Sequence, residues 1–128
     1  MTSSVYYYVH DMENLGKYIR EQREKLRQTD SSFSVRKLAL RIGMEPSYLS
    51  KIERGETPPP SEAKIRLLAQ ELGEDPDVLL ALAGKVSSDL QATIRKRPRL
   101  FAELIRELKN MPDNAVLRLV REVRDGKW

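Results

Sequence analysis

The chain has 128 residues, 40% hydrophobic and 33% charged, enough apolar content for one small core under a heavily charged surface. With no cysteine and a single histidine, His10, it offers no material for disulfides, thiolate or histidine metal clusters, or thiol and triad catalysis, and the composition suits a reducing cytoplasm. No apolar run approaches the roughly 20 residues of a membrane helix, and the opening MTSSVYYYVHDME lacks the basic flank and apolar core of a secretory leader.

The net charge of +4 is unevenly spread. Residues 17–54 hold ten Lys/Arg against five Asp/Glu, residues 55–84 two against six, and residues 85–128 eleven against six. Two basic segments around an acidic one suit an oriented polyanion-binding surface; solvated helix faces are the plainer alternative.

In chain order, Val5–Val9 (VYYYV) favours extended structure. It reads as an arm over residues 1–12 that packs or pairs, with stacking on nucleic-acid bases as a lesser option. From there on the periodicity is helical. Leu15, Tyr18, Ile19, Gln22 and Leu26 mark one face of a first helix, which the turn-forming stretch Gln28–Phe33 ends. Ser34 is placed to cap a second helix that closes at Gly43, and Pro46 sits in the first turn of a third that stops at Gly55. The segment ETPPP cannot be helical. Ser61 restarts the chain, with Ile65, Leu68, Ala69 and Leu72 in a fourth helix, and Pro76 opens a fifth. A sixth begins at Ser87–Ser88, a seventh at Pro98 and an eighth at Pro112. The predicted class is all-α.

Residues 34–55 carry the functional signal. Two short helices joined by a glycine turn outline a helix-turn-helix. Ala39 is the small residue where the two helices cross, and Gly43 permits the left-handed turn. Leu38, Ile42, Leu49 and Ile52 supply the shared apolar contacts, leaving Glu45, Ser47, Ser50, Lys51 and Arg54 outside. The motif extends to Leu15, Ile19–Arg20, Arg23, Leu38–Ala39, Ile42–Gly43, Tyr48–Gly55 (YLSKIERG), Pro60–Ser61 and Leu68–Ala69 with Leu72–Gly73. In these residues the chain resembles the XRE family of phage repressor and Cro-like regulators. The resemblance implies a five-helix DNA-binding domain over residues 13–84 whose third helix reads the major groove, usually as a homodimer on a palindrome. Two departures stand out: QTDSSF lengthens the joint between the first two helices, and Val35 occupies a position where the family often has a phosphate-contacting glutamine.

By family position, Glu45, Pro46, Ser47 and Lys51 face the bases. Lys51 has the donor for guanine O6 or N7, and Ser47 reaches a base edge or a phosphate. Glu45 either accepts from cytosine or caps its helix. Pro46 offers only shape or contact with a thymine methyl. Ser34, Arg36, Lys37, Arg41 and Arg54 are the phosphate candidates, with Arg41 equally suited to face solvent. Arg23 and Glu53 match positions that pair in the family, joining the first helix to the end of the third.

Residues 85–128 lie beyond the five-helix fold. Phe101, Leu104, Ile105 and Leu108 form one apolar stripe, and Val116, Leu119, Val120 and Val123 another. Pro112 between them predicts an antiparallel helix hairpin, too small to be stable alone. It is expected to pair with a second copy of the chain, or to bind a partner such as a toxin or protease as an antitoxin-like regulator does. The basic knot Arg95, Lys96, Arg97 and Arg99 suits flanking DNA phosphates, an acidic surface, or simply a solvated junction, and Trp128 is an anchor or a tail. The expected protein is a cytoplasmic, dimeric DNA-binding transcriptional repressor with double-stranded DNA as partner, no membrane association, no enzymatic chemistry, no cofactor and no metal.

Overall fold

The computed structural model describes residues 14–126, and every regular element among them is helical. The tyrosine arm and Trp128 lie outside the described residues. The chain divides into two compact units, the front one ending at Ser87 and the second beginning at Ser88.

The front unit comprises α1 (Leu15–Arg27), a 3-10 turn (Ser31–Phe33), α2 (Val35–Arg41), α3 (Pro46–Glu53), α4 (Glu62–Leu72) and α5 (Pro76–Leu82). Local chemistry sets the starts. Asn14, Ser34, Ser61 and Asp75 each stand in extended geometry and accept a first-turn N–H, from Lys17, Lys37, Lys64 and Asp77 respectively. Pro46 and Pro76 occupy first-turn positions where no donor is needed. The stretch after α1 is more ordered than its turn-forming composition suggests. The Asp30 carboxylate accepts from both the backbone N–H and the hydroxyl of Ser32, winding Ser31–Phe33 into one tight turn. Those bonds, the hydroxyl's first, hold the Asp30 carboxyl below its ordinary range.

Leu15, Ile19, Leu38, Leu49, Ile52, Ile65, Leu68 and Leu72 are buried in one core, joined by Tyr18, Ala39, Ile42, Met44, Ala69, Leu79 and Leu80. Gln22 and Leu26, at the same helical spacing, are only partly covered, so the buried stripe of α1 narrows toward its C-terminus. Among the described glycines, Gly16 has the tightest surroundings. A Cβ there would stand 2.1 Å from the Ile52 carbonyl oxygen and 2.9 Å from that of Glu53, so α1 rests directly on the last turn of α3. Beyond α5, Lys85 Nζ donates to the Pro60 carbonyl at 3.1 Å and Ser87 is buried, which ties the chain to the front unit past Gly84.

The second unit holds α6 (Ser88–Lys96), α7 (Pro98–Lys109) and α8 (Asp113–Arg124), with Pro112 standing just outside α8 as its cap. None of its helical residues is buried. Leu104, Leu108, Val116, Leu119, Val120 and Val123 line one open apolar groove of about 390 Å³ between α7 and α8. Ile105 lies outside that groove and is 47% exposed; Phe101 is half-buried and lines a separate small hollow with Leu100 and Leu104. No described helix is long and apolar enough to cross a membrane.

Candidate nucleic-acid interface

The helix-turn-helix is built from α2, the Ile42–Glu45 turn and α3. Gly43 takes φ +67° in that turn, a conformation that a side chain resists by roughly 1–2 kcal/mol. The turn is also held from outside: Lys64 Nζ, on α4, donates to the carbonyls of Ile42 at 2.7 Å and Gly43 at 3.0 Å. A cation on these carbonyls satisfies the otherwise unpaired end of α2 and opposes its negative pole.

On α3 the periodicity separates two faces. Leu49 and Ile52 are buried and Tyr48 packs partly against the core, whereas Glu45, Ser47, Lys51 and Arg54 are exposed and Ser50 is half-exposed. Glu45 stands at the cap position, but its side chain makes no capping bond, and Pro46 is half-buried in the first turn. Capping is thus not what the Glu45 carboxylate does in the described chain.

Arg23 and Glu53 anchor this face. Arg23 Nε donates to Glu53 Oε2 at 2.7 Å and Nη2 to Oε1 at 3.0 Å, a two-pronged bond between α1 and the last residue of α3. Nη1 donates to the Phe33 carbonyl at 3.1 Å, and Nη2 also lies 2.9 Å from the Glu24 carboxylate. The side chains of Arg23 and Glu53 are 3% and 5% exposed. The bond to Glu53, opposed by burial and aided by the charges of Glu53 and Glu24, raises the guanidinium's already high pKa. One guanidinium therefore pins α1, the 3-10 turn and α3 together, at the joint that the inserted residues lengthen.

The phosphate candidates are differently occupied. Arg36 and Lys37 are exposed in the first turn of α2, next to the half-buried Ser34, whose oxygen caps that helix. Arg41 is engaged: Nε donates to Glu71 at 2.8 Å, Nη1 donates to the Ser32 carbonyl, and the guanidinium lies over the Phe33 ring, 4.9 Å from its centre. Arg54 Nε meets Glu56 at 2.9 Å in an exposed pair that raises the arginine's pKa and lowers the glutamate's.

A family model of the helix-turn-helix domain matches residues 14–82. The chain belongs to this helix-turn-helix family, which is associated with XRE-like regulators. No curated protein and no solved structure matches it. The domain is that of a DNA-binding regulator, and the match spans the five front helices, α1 to α5.

Two positioning residues escaped sequence reasoning. Gly16 had no local signal, because a glycine inside a helix reads as a weakness until the neighbouring backbone is known. Lys64 reads as one more polar position on α4, and its partners lie more than twenty residues earlier. The resemblance that marked Arg23 and Glu53 did not reach either of these.

Proposed function

We propose that the protein is a sequence-specific transcriptional repressor that binds an inverted-repeat operator as a homodimer. The observation that carries this reading is the division of α3. Its apolar side is fixed by the core, by the Gly16 contact and by the Arg23–Glu53 bond, while Glu45, Ser47, Lys51 and Arg54 are exposed. A rigid helix with an exposed polar edge suits major-groove readout.

In this reading Lys51 donates to guanine, Ser47 meets a base edge or phosphate, Glu45 accepts from cytosine and Pro46 contacts a thymine methyl. Ser34, Arg36, Lys37 and Arg54 hold phosphates, which set register rather than sequence. Arg41 reaches a phosphate only by giving up Glu71 and the Ser32 carbonyl. Residues 13–84 form the DNA-binding domain and 85–128 the dimerisation segment. The groove between α7 and α8 supports that assignment, since no helical residue of α6, α7 or α8 is fully buried while the front unit has its own core. Pairing two copies through the groove would join two reading helices in one symmetric molecule. The same uncovered groove also favours a second reading, in which a different protein, such as a toxin or protease, docks there while the front domain represses its own operon. Sedimentation of the chain alone separates the two: a dimer supports the first, a monomer that dimerises only with a co-purified partner the second.

The test is selection from random duplexes, followed by titration. The expected site is an inverted repeat with half-site centres roughly 34 Å apart. Affinity should fall on the order of a thousandfold between roughly 50 and 200 mM salt, because each neutralised phosphate releases counterions. Lys51→Ala should lose about 1–3 kcal/mol of discrimination at one base pair per half-site, whereas Arg54→Ala should weaken all sequences alike. Salt-insensitive binding, or equal losses on cognate and scrambled DNA in both variants, refutes the reading.

A further inference from the structure

Between α1 and α3, walled by Val35 of α2, lies an open cleft of about 240 Å³ lined by Arg20, Arg23, Val35, Ser50, Glu53 and Arg54. Its charges do not balance. Each Glu53 oxygen accepts from Arg23, so the charge of that carboxylate is compensated within the lining. The other polar residues of the lining are Arg20, Arg54 and Ser50. Arg20 is exposed and forms no ion pair among the described residues. Among the described residues Arg54 is held by Glu56 alone, in a pair exposed on both sides and hence screened and weak. The lining therefore adds two arginines and a serine to a compensated ion pair, with no uncompensated carboxylate, which suits an anion with several acceptor oxygens.

Position says which anion. Ser47 stands three and four residues before Ser50 and Lys51, and Arg54 four and three after them, so the cleft continues the exposed edge of α3. A group seated there borders whatever that edge reads. Resting on the DNA-binding reading above, we infer that the cleft seats one backbone phosphate of the strand flanking the major groove, with Arg20, a residue of α1 outside the helix-turn-helix itself, as a donor and with Ser50 and Arg54 closing on the same oxygens. On this account Glu56 exchanges its arginine for the phosphate when DNA binds.

The test compares full-length wild type with Arg20→Gln, Arg20→Lys and Ser50→Ala on a fluorescein-labelled duplex taken from the selection, across a salt series. A second set of duplexes carries a single neutral methylphosphonate, moved one phosphate at a time. Arg20→Gln should weaken cognate and scrambled duplexes by the same factor and reduce the salt slope by about 0.9 per subunit. Arg20→Lys should recover part of both, Ser50→Ala should lose a smaller factor, and melting temperatures should not move, because Arg20 is exposed. One methylphosphonate position should weaken wild type severalfold and leave Arg20→Gln no weaker, a coupling that a merely structural role would not produce. Wild-type affinity and slope in Arg20→Gln, or the same methylphosphonate profile in both proteins, overturns the cleft assignment while leaving α3 as the reader. If wild type selects no duplex, the DNA-binding reading falls and this inference with it. Inorganic phosphate added at constant ionic strength distinguishes a free anion: an Arg20-dependent rise in melting temperature with no Arg20 effect on DNA would assign the cleft to that ion and overturn the proposal.

Discussion

Gly16→Ala sets two effects of opposite sign against each other. In an exposed helix the change stabilises by about 1 kcal/mol, since glycine is the poorer helix former. Here the added Cβ would lie 2.1 Å from the Ile52 carbonyl oxygen, where ordinary contact begins at 3.4 Å, so α1 and α3 must part by roughly 1.3 Å, the difference of the two. Overpacking costs about 1–3 kcal/mol, and the upper part of that range applies because the opposing atoms are backbone and cannot rotate away. Less the helix-propensity gain, the net loss is about 1–2 kcal/mol. For a unit of this size that lowers the melting temperature by about 4–16 °C. The same displacement pulls Arg23 from its two-pronged bond and shifts the whole of α3, so DNA affinity should fall even where the variant is fully folded. Circular dichroism gives the melting temperature, and fluorescence anisotropy on the selected duplex, well below the transition, gives the affinity. A melting temperature equal to or above wild type would mean that propensity governs and that α1 does not rest on α3 at this point.

Three further outcomes are expected. Removing either member of the Arg23–Glu53 pair should destabilise by about 3–5 kcal/mol, and replacing both by apolar residues of similar size should cost less than either single change. Urea unfolding of the two singles and the double checks this; additive losses would show that the pair is not coupled. A chain ending after Ser87 should stay folded, since the buried core of the front unit lies before that point, yet sediment as a monomer and bind the operator more weakly. A dimeric truncation would move the interface out of the second unit. The Asp30 carboxyl is lower in pKa when folded than when unfolded, so its contribution is present above the unfolded value of about 4 and fades as pH falls through the lower folded value. Asp30→Asn should accordingly melt below wild type at neutral pH, and the gap should close in acid; a gap independent of pH refutes the capping role.

Much of this protein is fixed within a few residues of chain. The starts of the front helices follow from Asn14, Ser34, Ser61, Asp75, Pro46 and Pro76, because a cap is satisfied by its own first turn. The buried stripes follow from period 3.6, which places Leu15, Ile19, Leu49 and Ile52 on inward faces whatever they meet there. The polar edge of α3 is what that periodicity leaves over. Other features depend on atoms brought together from distant parts of the chain, and no local pattern encodes them. Whether a helical glycine is a flaw or a contact depends on the carbonyls of Ile52 and Glu53 lying against Gly16. Whether Lys64 is surface or support depends on the turn at Ile42 and Gly43. The arginines make the same point: Arg20 and Arg41 both read as helix-surface cations in sequence, yet Arg41 is spent on Glu71, Ser32 and Phe33 while Arg20 lines an open cleft and forms no ion pair among the described residues. Composition and spacing determine which side of a helix faces water; only the packing of one helix on another decides which of its charges are already occupied.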